Sequence, residues 1–193
     1  MEYTSAAEMA AFLSQSNVDA IMVNTDVGEY RGKFEDLTDA IAGSVKARPT
    51  RPPPILQKDF ILHPIQVISR RSFTHSLYRL IYCFFTIFLK IAQALENGAS
   101  GVVVIMCVVG NDLTVLLDAG TVMGAEILVE VHTPTELEFA LQCGATTFLV
   151  NSRDRKTGQI YPHQAKALAS MMPINAVSMV AGGIKTIEEV RFL

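Results

Sequence analysis

The chain has 193 residues, half of them hydrophobic, and a formal net charge of -3. That length suffices for one domain with a real core. With no long basic or acidic tract, nucleic acid is not an expected partner. The three cysteines, Cys83, Cys107 and Cys143, are far apart and odd in number. They suit reduced thiols better than a disulfide framework. No Cys pair or Cys/His cluster has zinc spacing, so no structural metal is expected. His63, His75, His132 and His163 show no ligand spacing either, and His132 reads as a capping or turn residue.

In chain order, "MEYTSAAEMAAFL" reads as an amphipathic helix. It has no basic start, carries acids, and resembles neither a secretory signal nor a transit peptide. "VDAIMVN" (18–24) reads as a buried strand and "KFEDLTDAIAGSV" (33–45) as a helix. "PPILQ" (53–57) is a strand. "IAQALENGA" (91–99) is helical and stops at Gly98. "GVVVIM" (101–106) is a strand, "NDLTVLLDAGTVMG" (111–124) a helix and "EILVEV" (126–131) a strand. "TPTELEFALQCG" (133–144) carries strong helix punctuation. Thr133 is the cap, Pro134 suits the first turn, and Glu136 stands three after the cap to close a capping box. "TTFLVN" (146–151) is a strand, "HQAKALASMM" (163–172) a helix and "NAVSMVAGG" (175–183) a strand. "TIEEVRFL" (186–193) starts a further helix, with Thr186 as cap and Glu189 three on.

These are six strands, each followed by a helix or a helix start. Each strand is apolar over nearly its whole length, the pattern of strands covered on both faces, so the sheet should be parallel. An open doubly wound sheet and a TIM barrel both fit that rhythm. No G-x-G-x-x-G follows the first strand, which disfavours dinucleotide binding. The unit length favours a TIM (β/α)8-type barrel, in which eight strands take typically ~250 residues. The expectation is a single incomplete α/β barrel domain over 1–193, with six strands and the first and last strands missing.

Residues 67–90, "VISRRSFTHSLYRLIYCFFTIFLK", do not fit. Aromatic and basic residues crowd together there with no acid. The apolar part is short for a membrane span of ~20 residues and contains Arg79. An extra packed helix is one reading. A translated, in-frame intron is the other, since removing Val67–Lys90 leaves an ordinary strand–helix–strand passage. Valine codons begin GT, lysine can be encoded AAG, and Phe, Leu, Ile and Tyr codons are rich in T.

In such a barrel the strand ends and the loops after them form the active face. Four strand ends carry chemistry: Lys58 in "LQKDF", Glu130 in "VEVHT", Asn151 and Arg153 in "VNSRD", and Gly182 and Gly183 in "VAGGI". Asn24 and Asp26 in "VNTD" form a weaker fifth set. Taken singly, Lys58 reads as a solvated strand terminus, Glu130 as a cap partner and the glycines as a tight turn. Taken together, acid, base and amide donors converge from separate strands on one rim. Side chains alternate along a strand, so Lys58 should face the centre and Asp59 the outside. Glycines after a strand let backbone N–H groups approach a phosphate closely.

"PPILQKDFILHPIQ", "AEILVEVHTPTELEFALQCGA" and "FLVNSRDRKTGQI" resemble the indole-3-glycerol phosphate synthase family, from about Tyr3 onward except for the insert. "VNTDVGEYRGKFEDL" resembles the family's second strand and the loop after it. The resemblance implies a lyase of tryptophan biosynthesis. Such enzymes convert a carboxyphenylamino-deoxyribulose phosphate to indole-3-glycerol phosphate with loss of CO2 and water, without cofactor or metal. It implies Lys58 as general acid, Glu130 as the carboxylate that handles protons in dehydration and Asn151 as orienter of substrate hydroxyls. Arg153 would support the carboxylate-bearing end, and Phe60 would line the pocket against the aromatic ring. The implied partner is a small sugar-phosphate substrate, with neither nucleic acid nor membrane. The implied compartment is a plastid for a plant-like source and the cytoplasm otherwise.

Three departures from the family stand out. Its first-strand Glu and Lys with the Ser-Pro-Ser segment, and its final strand, are not present. Its seventh-strand Glu-Ser-Gly aligns with Ala181, Gly182 and Gly183. The expectation is therefore that this chain alone is inactive. Two alternatives stay open: a non-catalytic barrel that binds a phosphate ligand or a partner, and another sugar-phosphate enzyme. V-A-G-G-I turns also occur in hexulose-phosphate synthases and histidine-pathway isomerases.

Overall fold

Short β-branched runs alternate with amphipathic helices, and the computed structural model realises that alternation over residues 5–28, 31–59, 89–154, 157–186 and 188–189. Helix α1 (Ala6–Gln15) is followed by β1 (Ile21–Asn24), α2 (Phe34–Ala47) and β2 (Ile55–Lys58). A helix α3 runs over 89–96. It is followed by β3 (Gly101–Ile105), a short helix α4 (Met106–Val109), a 3-10 turn (Gly110–Asp112) and α5 (Leu113–Met123). Then come β4 (Glu126–Val131), α6 (Pro134–Gln142), β5 (Thr147–Asn151), α7 (Pro162–Met171) and β6 (Val177–Ala181).

The six strands form one sheet in the order β1-β2-β3-β4-β5-β6. Every adjacent pair is parallel. This removes the doubly wound alternative, in which the strand order reverses at a switch point. A sequential parallel order is that of a barrel wall.

The two faces of the sheet bury different layers. Outward-facing Ile55, Val102, Val104, Ile127, Val129, Phe148 and Val150 pack with helix residues such as Leu37, Ile91, Leu116, Leu137 and Leu168. The inward face carries a second, smaller cluster of Leu56, Val103, Leu128 and Leu149. Met22 of β1 and Met179 of β6 both pack against that same cluster, although four strands separate them. The sequential parallel sheet is curled into part of a barrel, with this smaller layer on its inner face.

Helix α1 docks on α2 through small residues. A Cβ at Gly43 would overlap the Ala7 carbonyl. The Ser14 hydroxyl, buried at the crossing, lies 2.7 Å from the Ala10 carbonyl and 2.9 Å from the Ser44 hydroxyl.

Two sequence expectations shift in the structure. The helix expected over 111–124 is α5, but a short helix, Met106–Val109, precedes it where Met106 and Val109 find buried positions. Gly110 (φ 55°, ψ -130°) then breaks that stretch from α5. Met106–Met123 is long and apolar enough to cross a membrane by length and composition. Here it is interrupted at Gly110 and buries Leu113, Leu116 and Ala119 in the domain. The capping box expected for α6 is half formed: Thr133 Oγ1 accepts from Glu136 N–H (3.2 Å), while the Glu136 carboxylate accepts from His132 N–H (2.6 Å), one residue before the cap. The box at the C-terminal helix start is complete, with Glu189 accepting from Thr186 N–H (3.0 Å) and Thr186 Oγ1 accepting from Glu189 N–H (3.2 Å).

The atypical stretch 67–90 lies outside the described residues up to 88. Its last two, Leu89 and Lys90, lie in α3. Lys90 Nζ reaches Asp59 Oδ2 at 3.7 Å.

Candidate functional site at the strand C-termini

Period-2 alternation decides which residues meet inside the curl. In register, Asn24 of β1 lies beside Lys58 of β2, Ile105 of β3 beside Glu130 of β4, and Asn151 of β5 beside Ala181 of β6. All sit at the C-terminal ends of parallel strands, on the face that carries Leu56, Leu128 and Leu149 deeper in. Apolar side chains fill the depth and polar ones line the rim.

Lys58 Nζ contacts Glu130 Oε2 at 2.6 Å, with side chains 13% and 0% exposed. The other oxygen, Oε1, accepts from Asn151 Nδ2 at 2.8 Å. Asn151 Oδ1 in turn accepts from the Arg153 backbone N–H at 3.0 Å. Three of the residues expected at the site from separate strands are thus in one connected group. A buried carboxylate needs this company: without a cation and a donor its desolvation goes uncompensated.

The other candidates divide. Asp59 faces away from the centre, as alternation requires. Its Oδ2 accepts from Thr25 Oγ1 (3.1 Å), Thr25 accepts from Gln57 Nε2 (2.7 Å), and Lys90 is the nearby cation. Asn24 and Arg153 are exposed at the rim. Arg153 joins an antiparallel bridge to Ile160 that closes the loop after β5. Gly182 (φ 94°) lies against that loop: a Cβ there would come 2.7 Å from Asn151 Oδ1 and 2.8 Å from Arg153 N. Gly183 (φ 77°) packs on Ile160. Both glycines occupy the left-handed region that side chains disfavour. Phe60 lies outside the described residues.

His132 is the residue sequence reasoning undervalued. It lies two positions after Glu130 and therefore on the same face. Its residue exposure is 8%. Nε2 lies 3.4 Å from Glu130 Oε1, and Nδ1 lies 3.6 Å from Glu136 Oε2. Parity alone, counted from Glu130, would have placed it at the centre.

Burial pushes the Glu136 carboxyl up, but contact with the His132 side chain, the His132 backbone N–H, the His132 charge and the Thr133 backbone N–H together hold it below its ordinary value of 4.5. A carboxyl lowered in the folded state stabilises fully above its unfolded value, and that stability drains away as pH falls through the lower folded value. The Glu136→Gln variant should therefore flatten the acid side of the stability–pH curve, read from urea midpoints between neutral pH and pH 3. An unchanged acid limb would mean the carboxylate contributes nothing at the α6 start.

Among the described residues no group of three or more His, Cys, Asp or Glu side chains is placed to hold a metal ion. The site's working parts are a lysine–glutamate pair, an amide and an imidazole at the C-terminal rim of a curled parallel sheet. That is the arrangement of a (β/α)-barrel protein with its polar site on the strand-end face. A family model, "Indole-3-glycerol phosphate synthase", matches residues 84–193. Over 179 residues the chain is 30% identical to an indole-3-glycerol phosphate synthase of Leptospira interrogans, covering 92% of this chain and 59% of that protein. It is 30% identical to the one of Opitutus terrae over 94% of this chain and 59% of the relative. The one of Mycolicibacterium gilvum is 30% identical over 93% and 55%. The chain belongs to the indole-3-glycerol phosphate synthase family, and it spans little more than half the length of these relatives.

Proposed function

We propose that the rim of this chain carries the acid–base centre of an indole-3-glycerol phosphate synthase-type lyase. Its substrate would be a carboxyphenylamino-deoxyribulose phosphate, and its product indole-3-glycerol phosphate, with CO2 and water released. The observation that supports this most is the Lys58–Glu130 contact of 2.6 Å with Asn151 on the second carboxylate oxygen. In this reading Lys58 donates a proton to the substrate oxygen as the ring closes and water leaves. Glu130 takes the proton released when the aromatic system is restored. Asn151 aligns the sugar hydroxyls, Arg153 faces the carboxylate end, and Gly182 and Gly183 offer backbone N–H groups to phosphate. General acid and base groups of this kind typically contribute about 10²–10⁴-fold each.

A second reading rests on Ala181. It sits in register with Asn151, where the family resemblance leads one to expect a glutamate. A rim with one carboxylate fewer fits a barrel that binds a phosphate ligand without turning it over.

The deciding experiment uses two proteins: the 193-residue chain, and a chimera completed to full length with the flanking segments of the Leptospira relative. Indole product, read by fluorescence, is expected from the chimera and not from the chain alone, and Lys58→Ala should lower it by about 10²–10⁴-fold. A folded chimera that binds the substrate by calorimetry yet forms no indole sinks the lyase reading and favours the second.

A further inference from the structure

The Glu130 carboxylate is fully buried, so a proton on it reaches water only through other groups. One oxygen faces Lys58 and the other faces Asn151 and His132. A substrate on the rim would close the Lys58 side. Among the described residues a path runs through the imidazole: from Glu130 Oε1 to His132 Nε2 is 3.4 Å, and from Nδ1 to Glu136 Oε2 is 3.6 Å. Glu136 has a side chain 20% exposed, so it meets solvent.

Neither ring nitrogen of His132 makes a hydrogen bond among the described residues. A buried imidazole left this way costs free energy unless another state of the site satisfies it. Both gaps need only a few tenths of an ångström to reach hydrogen-bond range. Glu136, meanwhile, is held in place by the His132 backbone N–H at 2.6 Å, so the acceptor is fixed to the residue it serves.

We propose that His132 is a positioning residue that relays protons between buried Glu130 and solvent-facing Glu136. The proposal rests on the acid–base reading of Glu130. In the step, a proton taken from substrate sits on Glu130 Oε1. It moves to His132 Nε2 as the Nδ1 proton moves to Glu136 Oε2, and Glu136 releases it to water. The imidazole gives up the Nδ1 proton as it takes one on Nε2, so the step leaves its charge unchanged, and the reverse transfer or a ring flip resets it. No oxidant, reductant or other reactant is needed. The groups facing the ring are Glu130 on its own strand, Glu136 on α6 and, across Glu130, Lys58 on β2 and Asn151 on β5.

The test has one arm that needs no turnover. In the 193-residue chain with ¹⁵N-labelled histidine, the Nε2 resonance of His132 should move in Glu130→Gln, and the Nδ1 resonance in Glu136→Gln. An Nε2 signal indifferent to Glu130→Gln overturns the proposal and leaves His132 a cap residue. The second arm uses the chimera. There His132→Ala should lower turnover by about 100-fold, the low end of what proton transfer contributes, and free imidazole should restore much of the rate. A loss that imidazole does not rescue, or no loss at all, also overturns the relay. If the chimera itself forms no product, the lyase reading fails, and the resonance arm alone decides whether Glu130, His132 and Glu136 are coupled.

Discussion

Replacing Lys58 with alanine will destabilise the chain by about 3–5 kcal/mol, the cost of stripping one partner from a buried ion pair. Glu130 is fully buried and Lys58 nearly so, and their contact is 2.6 Å. Removing the ammonium leaves a carboxylate that Asn151 still serves on one oxygen but that has lost its cation. The reason for the loss is the stranded charge rather than the worth of the pair. The double variant Lys58→Met, Glu130→Leu should therefore recover most of the stability that the single variant loses. Urea unfolding followed by circular dichroism measures both. A single-variant loss below about 1 kcal/mol, the range of exposed pairs, would mean that water reaches Glu130 and the site is not dry. In the completed chimera the same Lys58→Ala change should cost about 10²–10⁴-fold in turnover. Stability and rate together separate a structural pair from a working one.

Phe148→Ala should cost about 3–5 kcal/mol for a different reason: it opens a cavity. Phe148 is the bulkiest fully buried side chain among the described residues. It projects from the outer face of β5 into the layer between sheet and helices, with Val129 beside it in register. The helices cannot close over the hole without leaving the other strands they cover. Phe148→Leu keeps most of the volume and should lose clearly less. The two variants, compared by urea midpoints at one pH, give the volume dependence. If Phe148→Ala lost no more than Phe148→Leu, the outer layer would be loosely packed and the barrel reading of that face would fail. Because Phe148 faces away from Glu130, the change should leave the His132 and Glu130 resonances where they are.

The strands were readable because each is a short β-branched run closed by a turn residue, and strand bounds moved by at most a few positions. The parallel sheet followed from their continuous apolarity, which a two-sided covering explains, and the barrel from the length of the strand–helix unit. Lys58, Glu130 and Asn151 could be placed on one rim because side-chain parity is a local property. What could not be read was how the parts meet. Helix α4 begins directly after β3 because Met106 and Val109 find buried space, a tertiary fact without a local signal. Glu136 was expected to bond its own cap and instead bonds His132, since the chain enters α6 with His132 N–H turned toward the first turn. His132 looked like a turn residue because its two carboxylate neighbours come one from its strand and one from the next helix. The role of Gly182 as a spacer against Asn151 and Arg153 likewise depends on β5 and β6 lying side by side.

The sequential strand order carries a consequence for how the chain is made. Among the described residues every strand pairs with the strand before or after it in the sequence. A nascent chain leaving the ribosome can therefore add each βα unit to an existing edge without waiting for a distant partner. The step that departs from this economy is the joining of β3 to β2, because 42 residues, 59–100, separate the two strands in the sequence. The added entropy is small, about 0.6 kcal/mol for each doubling of loop length. Its timing matters more: β1 and β2 wait as a two-stranded piece, with Lys58 already made and Glu130 still to come. Assembly of the ion pair is thus a late event, and the site forms only after the wall that holds it.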